Sequence, residues 1–275
     1  TMTLNDFWEI YKADMEKRLR KTTMKQKEYV MKDKVLPYFG NTPINAITAP
    51  MIRKWQGEMI DKGFKPTYLK TINNQLSSIL NYAVRFYELR SNPCHKAGSM
   101  GKSKADERPY WTLEEFQKVI SLLYKGDYYE HYLFMSFWLL FMTGMRIGEA
   151  AALHWSDIDF ETGLLSITKT LYYKTMTDYK FVEPKTQASI RTIYIDADTL
   201  NELKAWKKVQ QQVLPNCELV LSYNGTPTSK TTLPRALEKL AGLAGVHRIK
   251  IHALRHSHAS LLISMGENPL LIKER

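Results

Sequence analysis

The stretch Thr143-Gly-Met-Arg-Ile-Gly-Glu-Ala-Ala-Ala-Leu-His-Trp-Ser-Asp-Ile-Asp159 decides how the rest of the chain is read. It follows the longest apolar run, Phe134–Met142. Gly144 can take a positive φ and end that apolar helix. Arg146 then opens a new helix, with Glu149 one turn on and on the same face. A short apolar run, Ala150–Leu153, and a turn at Trp155–Asp159 complete the stretch. As a solvent-exposed pair, Arg146 and Glu149 would contribute about 0–1 kcal/mol. Held rigidly at the end of a buried helix, the same guanidinium becomes a permanently charged fork suited to a phosphate. The partners that Arg146 finds elsewhere in the chain decide between the two.

At 275 residues the chain exceeds one average domain, so two domains are expected. Hydrophobic residues make up 44%, enough to build real cores. No apolar run approaches the roughly 18 residues of a membrane span, and no signal-peptide pattern opens the sequence. Cys94 and Cys217 have neither metal-ligand nor disulfide spacing, which points to a reducing compartment. The net charge of +11 points to a polyanionic partner, most often nucleic acid.

Residues 1–90 read as a helical domain. Leu4, Phe7, Trp8 and Tyr11 keep a three-to-four spacing, as do Tyr29, Val30, Val35 and Leu36. Pro37, Gly40 and Pro43 punctuate the chain after the second helix. Thr48 is a good N-cap for a helix over Ala49–Asp61, which Gly63 closes. Lys65-Pro-Thr67 opens another helix with Leu69, Ile72, Leu76, Ile79, Leu80 and Ala83 on one face. Its opposite face offers Lys65, Lys70, Asn73 and Asn74, with Thr67 near its start. Residues 1–93 hold 16 Lys+Arg against 9 Asp+Glu, so most of the excess charge sits in a third of the chain. Either this is a solvated surface, or Lys54, Lys65, Thr67, Lys70, Asn73 and Asn74 face DNA, with the helix in or across a groove.

Residues 91–109, with Asn92-Pro93, Gly98, Gly101 and several Lys, read as a basic linker suited to a protein that wraps a duplex. From residue 110 to 275 a second, mixed domain follows. Thr112-Leu-Glu-Glu115 is a capping box. Helices are predicted at 113–123, 129–143, 198–213, 231–243 and 252–265. Strands are predicted at 164–171, 180–182, 189–195 and 218–222, with Lys185 at the tip of the turn 183–188. The fold class is mainly α, with a small antiparallel β-sheet in the second domain. His252 and Arg255 share a face of the last helix. His252, His256 and His258 lack the partners of a zinc site, and no glycine-rich phosphate loop precedes a helix, so neither a metal nor a nucleotide cofactor is expected.

In this order, Thr143-Gly-Met-Arg-Ile-Gly-Glu149, Trp155-Ser-Asp-Ile-Asp159, Pro184-Lys-Thr-Gln-Ala-Ser-Ile-Arg191 and His252-Ala-Leu-Arg-His-Ser257 resemble the tyrosine recombinases. Phage-type integrases, and those of conjugative transposons in particular, look most similar, over essentially the whole chain. The resemblance implies a helical core-binding (SAM-like) domain ahead of a mixed α/β catalytic domain. It implies that Arg146 and Arg255 are the two catalytic arginines, Lys185 the β-hairpin lysine and His252 the histidine of the His-x-x-Arg motif. Glu149 would orient Arg146. The implied reaction is site-specific cutting and rejoining of DNA through a 3′-phosphotyrosyl intermediate, for integration and excision of a mobile element.

The resemblance also implies double-stranded DNA as partner, self-association on DNA as a dimer or tetrameric synapse, accessory excision or DNA-bending proteins, and residence in a bacterial cytoplasm on the nucleoid. The family's nucleophilic Tyr lies downstream of the second Arg, whereas the last Tyr here is Tyr223. That nucleophile, and an amino-terminal arm-binding domain, are therefore expected outside these 275 residues, which by themselves should bind DNA without cleaving it. Two rivals share part of the pattern. A type IB topoisomerase uses the same Arg, Lys, His and Tyr chemistry, but the compact helical domain argues against it. A non-catalytic DNA-binding regulator would not need Arg146, Lys185 and Arg255 to converge.

Overall fold

Apolar side chains recurring every three to four residues organise both halves of the chain around helices. The computed structural model describes residues 2–103, 109–173, 175, 178–184 and 189–268, and the chain divides into two units between residues 107 and 108. In the first unit, α1 (Leu4–Arg18) starts at a capping box, in which the Asp6 N–H donates to Thr3 Oγ1 and the Thr3 N–H donates to Asp6. Helix α2 (Lys21–Val30) runs through a π-helical turn, Met31–Val35, into α3 (Leu36–Phe39). Pro37 therefore does not stop the helix, as its sequence position predicts. The Leu36 N–H reaches back to the Met31 carbonyl, and the widened turn makes room for a ring that would clash in an ordinary α-turn. Helices α4 (Ala49–Asp61) and α5 (Pro66–Phe86) follow as expected, although the Thr48 side chain makes no capping bond. Phe7, Trp8, Trp55, Ile72, Leu76, Ile79 and Leu80 are buried in the core of this unit.

Two predictions for this unit are corrected. The segment 91–109 is not a linker throughout. Asn92 caps a short helix, α6 (Pro93–Ala97), which packs on α4 and α5, and Cys94, Ala97 and Met100 are buried in the first core. Gly101 then lies on the first turn of α5, with φ +75° and no room for a Cβ, which would come 2.0 Å from the Pro66 carbonyl oxygen. Asn73, predicted on the outward face of α5, is 4% exposed. It falls in the buried stripe, where its Oδ1 accepts from Gln56 Nε2 at 2.8 Å. The same Gln56 amide donates to the Gly98 carbonyl at 2.8 Å, so the pair ties α4, α5 and the Gly98 turn together.

In the second unit, the predicted capping box Thr112–Glu115 forms and starts α7 (Leu113–Ile120). The apolar helix α8 (Tyr128–Thr143) runs through the middle of the core, and α9 (Ile147–Ala150) follows it. A 3₁₀ turn at Trp155–Asp157 leads to β1 (Ile158–Asp159). The strand predicted over 164–171 splits in two. Its first part, β2 (Leu164–Ile167), sits between β1 and β5 (Arg191–Tyr194) in an antiparallel sheet, and Ile167 pairs with Arg191. Its second part, β3 (Thr170–Tyr173), pairs with β4 (Tyr179–Val182) in a separate two-stranded sheet. The break falls where Lys169 turns aside to meet Asp157 at 2.9 Å.

Helices α10 (Ala197–Val213), α11 (Thr232–Leu243) and α12 (Ala253–Ser264) complete the unit. Both α10 and α12 pack on α8. The strand predicted at 218–222 is reduced to a single bridge between Leu219 and His154. The Trp155 N–H donates to the Glu218 carbonyl and the Val220 N–H to the Leu153 carbonyl, both at 2.9 Å, and the buried Gln210 amide adds bonds to the carbonyls of Leu219 and Ser222 at 3.0 and 2.7 Å. No helix among the described residues is long and apolar enough to cross a membrane.

The burial of Asn73 generates a prediction. Asn73→Ala strands the Gln56 donor and is expected to lower the first unit's unfolding free energy by about 1–3 kcal/mol in a urea titration. An unchanged midpoint, with a selective loss of DNA affinity, would return Asn73 to the surface role its sequence position suggests.

Candidate active site

The arrangement begins with the end of α8. Gly144 takes the left-handed conformation, φ 63° and ψ 18°, and stops the helix with its N–H on the Leu140 carbonyl. The turn brings Arg146 to the N-cap of α9, and Glu149 occupies the N3 position. From there the carboxylate reaches back to the N-cap: Oε2 accepts the Arg146 backbone N–H at 2.9 Å, and Oε1 accepts the Arg146 guanidinium at 2.7 Å. One side chain thus caps the helix and aims the arginine.

Glu149 is 3% exposed, so its charge needs more than one partner. The second comes from the sheet. Arg191, the first residue of β5, donates to Glu149 Oε2 at 3.1 Å and to the Ser189 carbonyl at 3.1 Å. Arg146 in turn donates to Ser189 Oγ at 3.3 Å. The two arginines differ in access: the Arg146 side chain is 48% exposed and that of Arg191 only 9%. Burial by itself raises the Glu149 carboxyl, but the hydrogen bonds from Arg191 and Arg146 outweigh it and hold the carboxyl below its ordinary value of 4.5.

Helix α12 supplies the third guanidinium. Arg255 is half-buried and donates to the Gly144 carbonyl, at the negative end of the α8 dipole. Burial first, then the charges of Arg146 and Arg191, push Arg255 below its ordinary value. The bond to Gly144, two residues before Arg146, sets Arg255 beside the Arg146–Glu149–Arg191 cluster. The approach of α12 to α8 depends on Gly144 having no side chain, because an added Cβ would come 2.5 Å from His258 Cδ2. Ser257, beside Arg255 in sequence, is occupied by packing: it accepts the Trp111 N–H at 2.9 Å and donates to the Ala253 carbonyl.

Of the residues proposed for catalysis, the structure brings together Arg146, Glu149 and Arg255. His252 stands exposed at the N-cap of α12, one turn before Arg255, with its ring edge-on to His256 at 5.3 Å. Lys185 lies outside the described residues. Arg191 is a further residue of the cluster that the resemblance does not single out; the available signal is an Arg that closes the Pro184–Arg191 motif inside the strand predicted at 189–195. On the first unit, Lys54, Lys65 and Asn74 are exposed, and Thr67 and Lys70 are half-buried. Lys70 Nζ donates to Ser99 Oγ at 2.8 Å.

The fold is that of a tyrosine-type site-specific recombinase, and the chain belongs to the phage integrase family. The profile of the phage integrase family matches residues 111–275, and that of the phage integrase N-terminal SAM-like domain matches residues 3–60. The chain is 30% identical to the ICEBs1 integrase of Bacillus subtilis, over 97% of this chain and 73% of that protein. It is also 30% identical to a XerC-like tyrosine recombinase of Caldanaerobacter subterraneus, over 81% of this chain and 62% of that protein. Among solved structures, the Tn1549 transposon integrase in complex with transposon right end DNA superposes with a TM-score of 0.81 at 20% identity, covering 99% of this chain and 90% of that one. A lambda integrase tetramer bound to a Holliday junction gives 0.73 at 19% identity, over 100% and 76%.

Two outcomes follow from this geometry. Gly144→Ala is expected to destabilise the second unit by at least roughly 1–2 kcal/mol, from the left-handed backbone alone. Gly242→Ala on α11, where an added Cβ meets nothing within 4 Å, is expected to be neutral or stabilising by about 0.4–1 kcal/mol. Equal effects in thermal melts would contradict the close approach of α12.

The second outcome concerns acid stability. The folded pKa of Glu149 is depressed, so its contribution is present above the ordinary value of 4.5 and is lost as pH falls through the lower folded value. Glu149→Gln is therefore expected to flatten the acid limb of the stability–pH profile, and an acid limb as steep as wild type would contradict the assignment.

Proposed function

We propose that this chain binds duplex DNA and grips one phosphodiester between Arg146 and Arg255, for cutting and rejoining strands at the ends of a mobile element. The observation that carries this reading is the imbalance of charge at the end of α8. Arg146 and Arg191 share one carboxylate, Glu149, and Arg255 stands on the nearby Gly144 carbonyl, so two positive charges remain for an anion. Two guanidiniums on the non-bridging oxygens would oppose the extra charge of a pentavalent transition state. His252 borders the same helix face, and Lys185 is the proposed acid for the leaving 5′-oxygen. Glu149 fixes the direction of Arg146. The family's chemistry conserves the bond energy in a covalent phosphotyrosine.

Tyr223 is not suited to that role. Its ring packs against Tyr129 and Tyr132, near the start of α8. The arginines gather at the other end, roughly 18 Å away from Tyr132 at 1.5 Å per residue.

The helical unit would contribute a second, backbone-directed contact through Lys54, Lys65, Thr67, Lys70 and Asn74, with α5 toward the duplex. Related integrases solved on transposon-end DNA and as a tetramer on a Holliday junction support duplex DNA as the ligand and self-association on it. Accessory excision or DNA-bending proteins are further partners in this reading. A match to the integrase N-terminal domain ahead of the catalytic family favours it over a type IB topoisomerase.

The test is the salt dependence of binding to a mixed-sequence duplex. Affinity is expected to fall roughly tenfold or more from about 50 to 200 mM salt. Arg146→Gln and Arg255→Gln are each expected to reduce the logarithmic salt slope by about one. Because both grip the same phosphate, the double variant should also lose about one, not two. A flat salt response, or a loss of two in the double variant, would contradict the reading.

A further inference from the structure

We propose that Arg191 is a positioning residue of this site: it is the counter-ion of Glu149, and by neutralising that carboxylate it leaves the charge of Arg146 available to the phosphate. The proposal rests on the phosphate-gripping reading of Arg146 and Arg255. A glutamate that both aims and neutralises the arginine would defeat the site, since the pair would present no net charge to DNA. Here the two tasks are separated. Glu149 Oε1 takes the Arg146 guanidinium, and Oε2 takes the Arg146 backbone N–H together with Arg191.

Arg191 is too enclosed to meet a ligand, with its side chain 9% exposed, and its other terminal nitrogen, Nη1, is committed to the Ser189 carbonyl. Arg146 is open at 48%. The buried guanidinium therefore satisfies the buried carboxylate, and the open one keeps its charge. Arg191 also has a fixed backbone, paired with Ile167 in the sheet, so it anchors Glu149, and through it Arg146, to β5.

The arithmetic of charge makes this testable. The cluster of Arg146, Arg191 and Arg255 against Glu149 carries a net +2. Arg191→Gln lowers it to +1, and Arg191→Gln with Glu149→Gln restores +2. The experiment is an NMR titration of the 275-residue protein with inorganic phosphate, following ¹⁵N arginine side-chain signals, with a thermal melt of each variant as the check on folding. Arg191→Gln is expected to weaken phosphate binding about tenfold, and the double variant to recover to within about threefold of wild type.

A merely structural role would leave the double variant at least as weak as the single one, and that result overturns the proposal, as does wild-type affinity in Arg191→Gln. If Arg191→Gln does not fold, the double variant, which removes both buried charges, decides alone: affinity near wild type supports the proposal, and a loss of about tenfold or more overturns it. Arg146→Gln and Arg255→Gln serve as controls. If they leave phosphate affinity unchanged, the reading of the site itself fails and this proposal with it. If they weaken it while Arg191→Gln does not, only the role of Arg191 is overturned.

Discussion

A single buried carboxylate, Glu149, holds the second unit's arrangement in place. Removing a carboxylate from water costs several kcal/mol, and the cost is met only when its lone pairs are filled and its charge matched. Glu149 meets both conditions with contacts from two directions: the N-cap backbone and guanidinium of Arg146, and the guanidinium of Arg191 on β5. Helix α9 is only one turn long, too short to persist by its own hydrogen bonds. Its stability comes from the cap and from the sheet that the cap reaches. The direction of Arg146 is therefore a consequence of tertiary structure.

The second support is the seat of α12 on the end of α8. A left-handed glycine, an imidazole packed where a Cβ would stand, and a serine locked to the Trp111 backbone fix the rotation of α12. That rotation delivers Arg255 to the Gly144 carbonyl, more than a hundred residues away in sequence. The negative end of the α8 dipole offsets part of the repulsion between neighbouring guanidiniums. The guanidiniums can be held close because each has a fixed acceptor: Glu149 is shared by Arg146 and Arg191, and a helix terminus takes Arg255.

How much of this the sequence shows depends on how local each interaction is. The Arg146–Glu149 relation is legible because a helix N-cap and its N3 residue are three positions apart. The His252-to-Arg255 spacing and the left-handed Gly144 are legible for the same reason. Arg191 is not, because its value lies in an ion pair across the sheet to a residue 42 positions earlier. Asn73 misleads because an amide on an otherwise apolar stripe looks like an outward residue until Gln56 is placed opposite it. Pro37 and the glycines near residue 100 read as chain breaks, yet a π-turn absorbs the first, and close packing on α5 explains Gly101. The segment at 218–222 has strand-like side chains but meets its neighbour, residues 153–155, in a single bridge with two backbone hydrogen bonds, and Gln210 supplies further bonds that no local pattern announces.

The most direct measurement is a crystal structure of this chain with a short duplex, read at one place. The account predicts one phosphate with its two non-bridging oxygens on the Arg146 and Arg255 guanidiniums at about 2.7–2.9 Å, with Glu149 still bridging Arg146 and Arg191. A duplex whose phosphates reach only one of the two arginines, or a Glu149 turned away from Arg146 when DNA is bound, would contradict it.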